Sequence, residues 1–223
     1  KRLFDTAVTA VALVASLPIL ATAALGIRLS SPGPVLYRAT RAGRRGKLFT
    51  MYKLRTMEVR SAVVEDSVIT ASNDTRVFPF GALLRRSKID ELPQLFNVLR
   101  GDMTFVGPRP EDPKVVAQHY TPEQWETLDV PPGLTSPGAL YSTTHGERWL
   151  SQAAAERDYY EHLMPLKLAL DRVYVRHSSV FYDLGVIVRT ALVVFGRAFG
   201  RRHFPDPPEM AEARRLLIPA VAQ

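Results

Sequence analysis

A long apolar run opens the chain and dominates its pattern of hydrophobic and polar positions. Residues 6–27 contain no charged side chain, and about 20 apolar residues suffice for a helix to cross the hydrocarbon core of a bilayer. The run therefore predicts a membrane helix. Two alternatives are a helix buried in a soluble core and a secretory signal peptide, although Arg28 stands where a small-residue cleavage site would be expected.

Pro18 lies in the middle of this run. A proline there removes a backbone hydrogen bond and costs about 3 kcal/mol in a regular helix, and Ser16 is near enough to bond a carbonyl group that the proline frees. Basic residues flank both ends of the run, so the positive-inside rule is satisfied when both ends face the cytoplasm. The sequence thus predicts a re-entrant membrane helix over residues 1–29, kinked at Pro18, with a plain transmembrane span as the alternative.

The pattern after the membrane run is that of a small α+β domain that is mainly helical. The pattern predicts a short strand at residues 35–38 and, after a basic turn that contains glycine, either a strand or the start of a helix at 47–57. Residues 61–79 are polar and irregular, which is typical of a loop.

Helical spacing of apolar side chains marks the second half of this domain. It runs from Ile89 to Leu99 and recurs over about 147–175 and 180–199, where we expect amphipathic helices at the membrane interface. The chain is therefore divided into a membrane helix at 1–29, a cytoplasmic domain at 30–200 and a basic C-terminal tail at 201–223.

Composition narrows the chemistry. With 223 residues, 46% of them hydrophobic, the chain can bury one sizeable core. It has no cysteine, which excludes a disulfide framework, a zinc site made of thiolates and cysteine catalysis, and which fits a reducing compartment. The five histidines are isolated in sequence and form no ligand-like pair.

Positive charge is concentrated beside the apolar run. The chain has a net charge of +7, and its first 60 residues carry eleven basic side chains against two acidic ones. Such a block suits phosphate-rich partners, which include anionic lipid head groups, a nucleotide substrate and nucleic acid. A solvated basic face is the alternative.

Two adjacent carboxylates, Asp90 and Glu91, stand among apolar neighbours. Ser87 followed by Asp90 matches a helix-capping pattern, in which an acidic side chain in the first turn bonds a free backbone amide. That explanation does not account for Glu91, which would point about 100° away from Asp90 on a helix. From the residues alone, capping and catalysis both remain open.

Ten pieces of the sequence, spread over nearly the whole chain, match one family of proteins. They are KRLFD (1–5), the apolar run with its proline, RAGRRG (41–46), YKLRTM (52–57), NDTRV (73–77), FGALLR (80–85), DELPQLFNVLRGDM (90–103), VGPRP (106–110), PGLT (132–135) and LDRVYV (170–175). The most specific part is the Asp-Glu stretch followed by Gly-Pro-Arg-Pro. On these pieces the sequence resembles the monotopic phosphoglycosyl transferases, a family of bacterial sugar transferases.

The resemblance implies a two-step phosphoryl transfer. Asp90 matches the family nucleophile, which attacks the sugar-bearing phosphate of a UDP-sugar, releases UMP and carries a phosphosugar until a polyprenyl (undecaprenyl) phosphate accepts it. Glu91 matches the residue that holds an essential Mg²⁺. The family works at the inner leaflet of the bacterial cytoplasmic membrane, at the first membrane step of glycoconjugate synthesis. We expect no nucleic acid partner and leave a homodimer open.

Several basic side chains are candidates for binding the diphosphate, because arginine offers paired planar donors to phosphate oxygens. Arg109, held between Pro108 and Pro110, is the strongest of them. Lys53, Arg55 and Arg85 come next, with surface ion pairs as the alternative for each.

Asp171 matches a family position that supports the active site. An ordinary ion pair with Lys167, four residues earlier on a helix, is the alternative. The stretch PGLTSPGAL at residues 132–140 departs from the PGITG of many relatives, which leaves the identity of the sugar open.

Two other classes of function use parts of the same sequence. A membrane-anchored module that only binds anionic lipid would keep the apolar run and the basic block, but it would not need Asp90, Glu91 and Arg109 together. A metal-dependent nucleotide-sugar phosphohydrolase would use these residues with water as the acceptor. Product analysis with and without the lipid separates these possibilities.

Overall fold

The computed structural model describes residues 1–59, 74–146 and 155–217. Most of the loop predicted at 61–79 lies outside the described residues, as does the start of the helix predicted at 147–175. The mainly helical α+β fold class is confirmed: short strands pair in two small sheets, and helices supply most of the core.

The apolar run forms one long helix, α1 (Arg2–Ser30). In the described part of the chain it is the one helix long and apolar enough to cross a membrane. One face is buried along its length, and the opposite face exposes large apolar side chains. The buried residues are Asp5, Thr9, Ser16, Ala23 and Ile27, and the exposed ones include Leu3, Phe4, Val8, Val11, Val14, Leu17, Ile19, Leu25 and Leu29.

The N-terminal end of α1 is tied to the rest of the domain by polar contacts. Lys1 Nζ lies 2.8 Å from a carboxylate oxygen of Asp183 and donates to the carbonyl of Val106 at 2.9 Å. Thr104 donates its hydroxyl to Asp5 at 2.5 Å. This end of the helix therefore lies against the strand that contains Thr104 and Val106.

The C-terminal end of α1 packs on the same domain through apolar side chains. Ala23 and Ile27 are buried in a cluster with Leu54, Phe78 and Leu84. Between the two ends, the Ser16 hydroxyl donates to the carbonyl of Leu13 at 2.9 Å. Leu13 is not the residue whose carbonyl Pro18 leaves free, which is Val14, so the predicted role of Ser16, the kink at Pro18 and the re-entrant path all stay predictions.

A β-hairpin follows α1. Strands β1 (Leu36–Ala42) and β2 (Leu48–Leu54) are antiparallel and extend the two predicted strands. Asn97 holds the hairpin against the next helix: its side chain accepts from the Tyr52 amide at 3.1 Å and donates to the Thr50 carbonyl at 2.7 Å.

The second sheet places the Gly-Pro-Arg-Pro segment. Strand β3 (Thr104–Val106) is parallel to β4 (Gly133–Thr135). The backbones cross closely just after β3, where a Cβ added to Gly133 would lie 2.2 Å from the Gly107 amide nitrogen. Only glycine allows this approach, so the Gly107–Gly133 contact fixes the backbone that leads into Pro108.

Eight further helices complete the described part of the chain. Helices α7 and α8 agree with the predicted segments where those are described, and a π-helical turn at Tyr159–Leu163 joins α6 to α7. The helices are α2 (Pro79–Arg86), α3 (Gln94–Arg100), α4 (Pro113–His119), α5 (Pro137–His145), α6 (Ala155–Asp158), α7 (Met164–His177), α8 (Val180–Ala198) and α9 (Met210–Leu217).

The helix predicted from the spacing of Ile89 to Leu99 is wrong over its first turn. Residues Ile89–Glu91 form a 3₁₀ turn, and α3 begins only at Gln94. Two local causes are present: Lys88 adopts a left-handed backbone with φ of 59°, and Pro93 lacks the amide that a continuous helix would need.

Helix α8 is amphipathic, as predicted. Its outward face carries an exposed apolar stripe made of Val180, Phe181, Leu184, Val188, Leu192 and Phe195. Residues 201–223 were predicted as a basic tail. In the part of this segment that the structure describes, which ends at Leu217, Met210 and Ala213 of α9 are buried in one cluster with residues of α7.

Candidate active site

Asp90 lies in the 3₁₀ turn and is buried, with 6% of its surface exposed. Its Oδ1 atom has no hydrogen-bond partner within the described residues. Ser87 ends α2 rather than beginning a helix, and its hydroxyl donates to the carbonyls of Leu83 and Leu84. The capping explanation for Asp90 is therefore wrong, and the Oδ1 atom of its carboxylate makes no hydrogen bond in the described part of the chain that would hold the fold.

Glu91 points to a different set of partners. Arg109 donates to both of its carboxylate oxygens, at 2.6 and 3.2 Å. The ammonium groups of Lys53 and Lys88 each lie 3.7 Å from Glu91 Oε1. The chain thus brings three cations around one carboxylate, immediately beside Asp90.

The neighbouring carboxylates have opposite pKa shifts. Burial and the adjacent charge of Glu91 raise the pKa of Asp90 above its ordinary value. Burial would raise the pKa of Glu91 too, but the charges of Arg109, Lys53 and Lys88 outweigh it and lower that pKa. Burial lowers the pKa of Lys53 to about 8, partly offset by Glu91. The site can therefore lose a positive charge in mildly alkaline solution.

These cations open onto a cavity of about 380 Å³. Its wall continues from Arg109 and Pro110 to Glu111, where Lys167 and Tyr159 both donate to the Glu111 carboxylate, at 2.7 and 2.8 Å. Hydroxyl and apolar side chains complete the lining. They include Leu134, Thr135, Leu140, Ser142, Thr143, Leu163, Thr190, Val193 and Val194.

The lining residues that were not predicted as site residues from the sequence include Lys88, Glu111, Tyr159 and Lys167. Glu111 directly follows the Pro-Arg-Pro segment, which was the one available signal. Lys167 lies 56 positions after Glu111, so their pairing depends on the fold.

Arg55 does not join the other predicted phosphate-binding residues. Its buried guanidinium donates to the carbonyls of Ser31 and Pro34 and to the Ser31 hydroxyl, which ties β2 to the end of α1. Arg85 is half-buried, donates to the Thr56 hydroxyl at 2.9 Å and is close enough for its charge to lower the pKa of Asp90. Arg85 thus stays near the nucleophile candidate, whereas Arg55 supports the scaffold.

Asp171 lies beneath the cavity, outside its described lining. It is fully buried and accepts the Gly138 amide at 2.9 Å, at the start of α5. Lys167 bonds Glu111, so the helix ion pair considered for Asp171 is not its main contact. Burial raises the pKa of Asp171 to about 6. Its position fits support of α5, which lines the cavity through Ala139 to Thr143.

A divalent cation has few but suitable ligands here. The described residues contain no group of three or more histidine, cysteine, aspartate or glutamate side chains. Mg²⁺, however, commonly takes only one or two carboxylates, with water and substrate phosphate completing its shell. Glu91, whose carboxylate lines the cavity beside the buried Asp90, fits that requirement.

Comparison with known proteins identifies the family. The model of the bacterial sugar transferase family matches residues 1–197. The chain belongs to the bacterial sugar transferase family. As a member of this family it contains the Asp90–Glu91 pair, Arg109 and α1 within the matched region.

Three bacterial sugar transferase relatives illustrate the similarity. The UDP-glucose:undecaprenyl-phosphate glucose-1-phosphate transferase of Xanthomonas campestris pv. campestris is 38% identical over 205 residues, 88% of this chain and 39% of that protein. The Caulobacter vibrioides protein of the same name is 38% identical, over 85% of this chain and 67% of that protein. The exopolysaccharide production protein PSS of Rhizobium leguminosarum bv. phaseoli is 34% identical, over 90% of this chain and 97% of that protein.

Proposed function

We propose that the chain transfers a sugar phosphate from a UDP-sugar to undecaprenyl phosphate, at an early step of exopolysaccharide or related glycoconjugate synthesis. Family membership and the names of the relatives support this class of reaction. The observation that carries the proposal is the buried Asp90 carboxylate, which has a free oxygen beside the Glu91–Arg109 pair. An exposed or capped Asp90 would not favour covalent chemistry.

In the first step, a carboxylate oxygen of Asp90 attacks the phosphorus that bears the sugar. A new O–P bond forms, the bond from that phosphorus to the oxygen bridging the two phosphates breaks, and UMP leaves with the bridging oxygen. Arg109, Lys53 and Lys88 stabilise the negative charge of the diphosphate, since preorganised donors at a developing charge are the main source of such catalysis. Arg85 and Lys53 also favour the ionised form of Asp90.

In the second step, an oxygen of undecaprenyl phosphate attacks the same phosphorus. The O–P bond to Asp90 breaks, the carboxylate is regenerated, and undecaprenyl diphosphate-sugar is formed. The same three cations serve both steps, because each step gathers negative charge at one phosphorus. A buried site also limits the access of water, which would otherwise hydrolyse the aspartyl phosphate.

Mg²⁺ is part of this proposal. Glu91 would hold it, and when bound it would supply charge neutralisation on the diphosphate oxygens. Glu91 has lone pairs beyond those that accept from Arg109, so it can keep that ion pair and still act as a ligand.

The proposed location is the cytoplasmic face of the inner membrane, with α1 entering and leaving the same leaflet. Support comes from the two ends of α1, which both contact one domain, through Lys1 and through Ile27. Because the chain has no cysteine, single cysteines placed before residue 3 and after residue 28 can report sidedness. Labelling from opposite sides would exclude the re-entrant path.

The deciding experiment is a search for the covalent intermediate. The purified chain is incubated with a panel of UDP-sugars and Mg²⁺ without lipid acceptor, and we expect UMP release and a mass increase of one phosphosugar on the peptide that contains Asp90. Asp90→Asn should abolish both. Asp206→Asn, which changes an exposed carboxylate outside the cavity lining, is the matched control.

Three outcomes would oppose the proposal. Turnover by Asp90→Asn would remove Asp90 as the nucleophile. Release of free sugar phosphate at the same rate with and without undecaprenyl phosphate would instead indicate a phosphohydrolase, and absence of UMP with every donor would favour a lipid-binding module.

A further inference from the structure

Beyond Pro110, the cavity wall includes three interacting side chains, Glu111, Tyr159 and Lys167. Tyr159 and Lys167 donate to the same oxygen of Glu111, and Lys167 also donates to the Tyr159 hydroxyl at 3.0 Å. Their side chains are largely buried, yet all three line the cavity. We call these residues the Glu111 triad.

The triad has hydrogen-bonding capacity left over. A lysine ammonium has three donors, and Lys167 spends two of them within the triad. The Tyr159 oxygen and the second oxygen of Glu111 keep acceptor sites, although the latter also receives the Asp112 amide at 3.3 Å. A ligand in the cavity therefore meets both a donor and acceptors that are already fixed in place.

Charge balance distinguishes the triad from the Asp90 end. There, Lys53, Lys88 and Arg109 outnumber the two carboxylates, which suits an anionic ligand. In the triad one cation meets one anion, and Glu111 and Lys167 stabilise each other's charged forms: the Glu111 pKa is lowered and the Lys167 pKa is raised, although burial acts against both. A neutral pair rich in hydrogen bonds suits an uncharged polyhydroxyl group.

Stability alone does not explain such a triad. Burying an ion pair costs desolvation energy that its attraction often fails to recover, and apolar replacements are frequently as stable. Tyr159 also lies in a π-helical turn, a feature that recurs at functional sites. Both facts favour a role in binding.

The backbone sets the triad at a useful distance from the phosphate-binding residues. Glu111 follows Arg109 by two positions, which span at most about 7 Å, close to the width of a hexose ring. The Ala42 amide fixes the Glu111 carbonyl at 3.0 Å. A diphosphate held at Arg109 would thus leave its attached sugar near Glu111.

We propose that the Glu111 triad is the subsite that binds the hydroxyl groups of the transferred sugar. This assignment rests on the proposed function for the nature of the donor, and it adds where the sugar lies and what recognises it. Lys167 donates to a sugar hydroxyl, Tyr159 accepts from one, and Glu111 orients both.

The test measures binding rather than turnover. In an Asp90→Asn background, which prevents consumption of the donor, the affinities for a UDP-sugar and for UMP are measured by calorimetry with Mg²⁺ present. Adding Tyr159→Phe or Glu111→Gln should weaken UDP-sugar binding about tenfold or more, while UMP affinity changes less than about twofold. A monodeoxy UDP-sugar that lacks the recognised hydroxyl should lose no further affinity in the Tyr159→Phe variant.

A second triad in the chain provides the matched control. Glu209 accepts from Tyr182 and Arg189, is buried and lies outside the described lining of the cavity. Tyr182→Phe and Glu209→Gln should lower the melting temperature about as much as the test variants, but leave both affinities unchanged.

The subsite is overturned if Tyr159→Phe weakens UMP and UDP-sugar equally, or if Tyr182→Phe weakens UDP-sugar as much as Tyr159→Phe does. Failure of the proposed function has a different signature. In that case wild-type protein forms no aspartyl adduct and releases no UMP, while the affinity difference between UDP-sugar and UMP still decides the role of the triad.

Discussion

The two ends of the cavity differ in how their charges are balanced. At the Glu91 end, three cations surround one carboxylate, and the adjacent Asp90, which is outside the described lining, has an oxygen without a hydrogen-bond partner among the described residues. At the other end, Glu111 and Lys167 neutralise each other within hydrogen bonds to Tyr159. A site with an excess of positive charge attracts and activates an anionic group, whereas a site whose charges cancel orients a neutral group. Counting charged residues in the sequence would not separate the two.

The largest effect on activity is expected for substitution of Arg109, which donates to both carboxylate oxygens of Glu91. Arg109→Ala leaves Glu91 facing the diphosphate, so kcat/KM for UMP release should fall by about 10³-fold, in the range found for lost electrostatic donors. Arg109→Lys should recover part of this, because it keeps the charge but not the paired donors. Arg176→Lys, at the Glu126 ion pair on the surface, is the control. A change of only a few-fold in Arg109→Ala would contradict the assignment.

A smaller effect is expected at Glu91. Glu91→Gln keeps the shape and removes the negative charge, so the Mg²⁺ concentration for half-maximal rate should rise by about 10- to 100-fold. The measurement is a Mg²⁺ titration of UMP release. Glu126→Gln, which removes a carboxylate paired with Arg172 and Arg176, should leave the titration unchanged. An unaltered titration in Glu91→Gln at a near-normal rate would remove its metal role.

The smallest effect is a pH dependence that only the unbalanced end should have. Lys53 is charged below its pKa of about 8, so raising the pH through that value removes a positive charge and kcat/KM should fall several-fold between about pH 7 and pH 9. Lys53→Arg should flatten the decline. The triad should not titrate in this range, because the Glu111 pKa is lowered and the Lys167 pKa is raised. If the decline persists in Lys53→Arg, its cause is a group other than Lys53.

Local signals in the sequence predicted part of this arrangement. The uncharged run predicted α1, and the alternation of apolar and polar residues predicted the strands of the hairpin. The Asp-Glu and Pro-Arg-Pro motifs pointed to Asp90, Glu91 and Arg109. Arg55 looked equivalent to Lys53 from two positions away, but Arg55 follows the end of β2 at Leu54 and its guanidinium bonds Ser31 and Pro34 instead.

What could not be predicted depends on contacts distant in sequence or on backbone geometry. Lys167 finds Glu111 only after α7 packs against the rest of the domain. The break before α3 needed the left-handed Lys88, a conformation that lysine rarely adopts. The apolar periodicity continues across that break, so it predicted a helix at Asp90, which lies instead in a 3₁₀ turn.

The packing of α1 has a practical consequence for handling the protein. Deleting the first thirty residues to obtain a water-soluble version would expose buried apolar side chains, since Leu54, Phe78 and Leu84 would lose their contacts with Ala23 and Ile27. An unrelated hydrophobic segment grafted in its place would restore membrane attachment but not that complementary surface. Purification in detergent or lipid discs with α1 intact is therefore the route that preserves the folded domain.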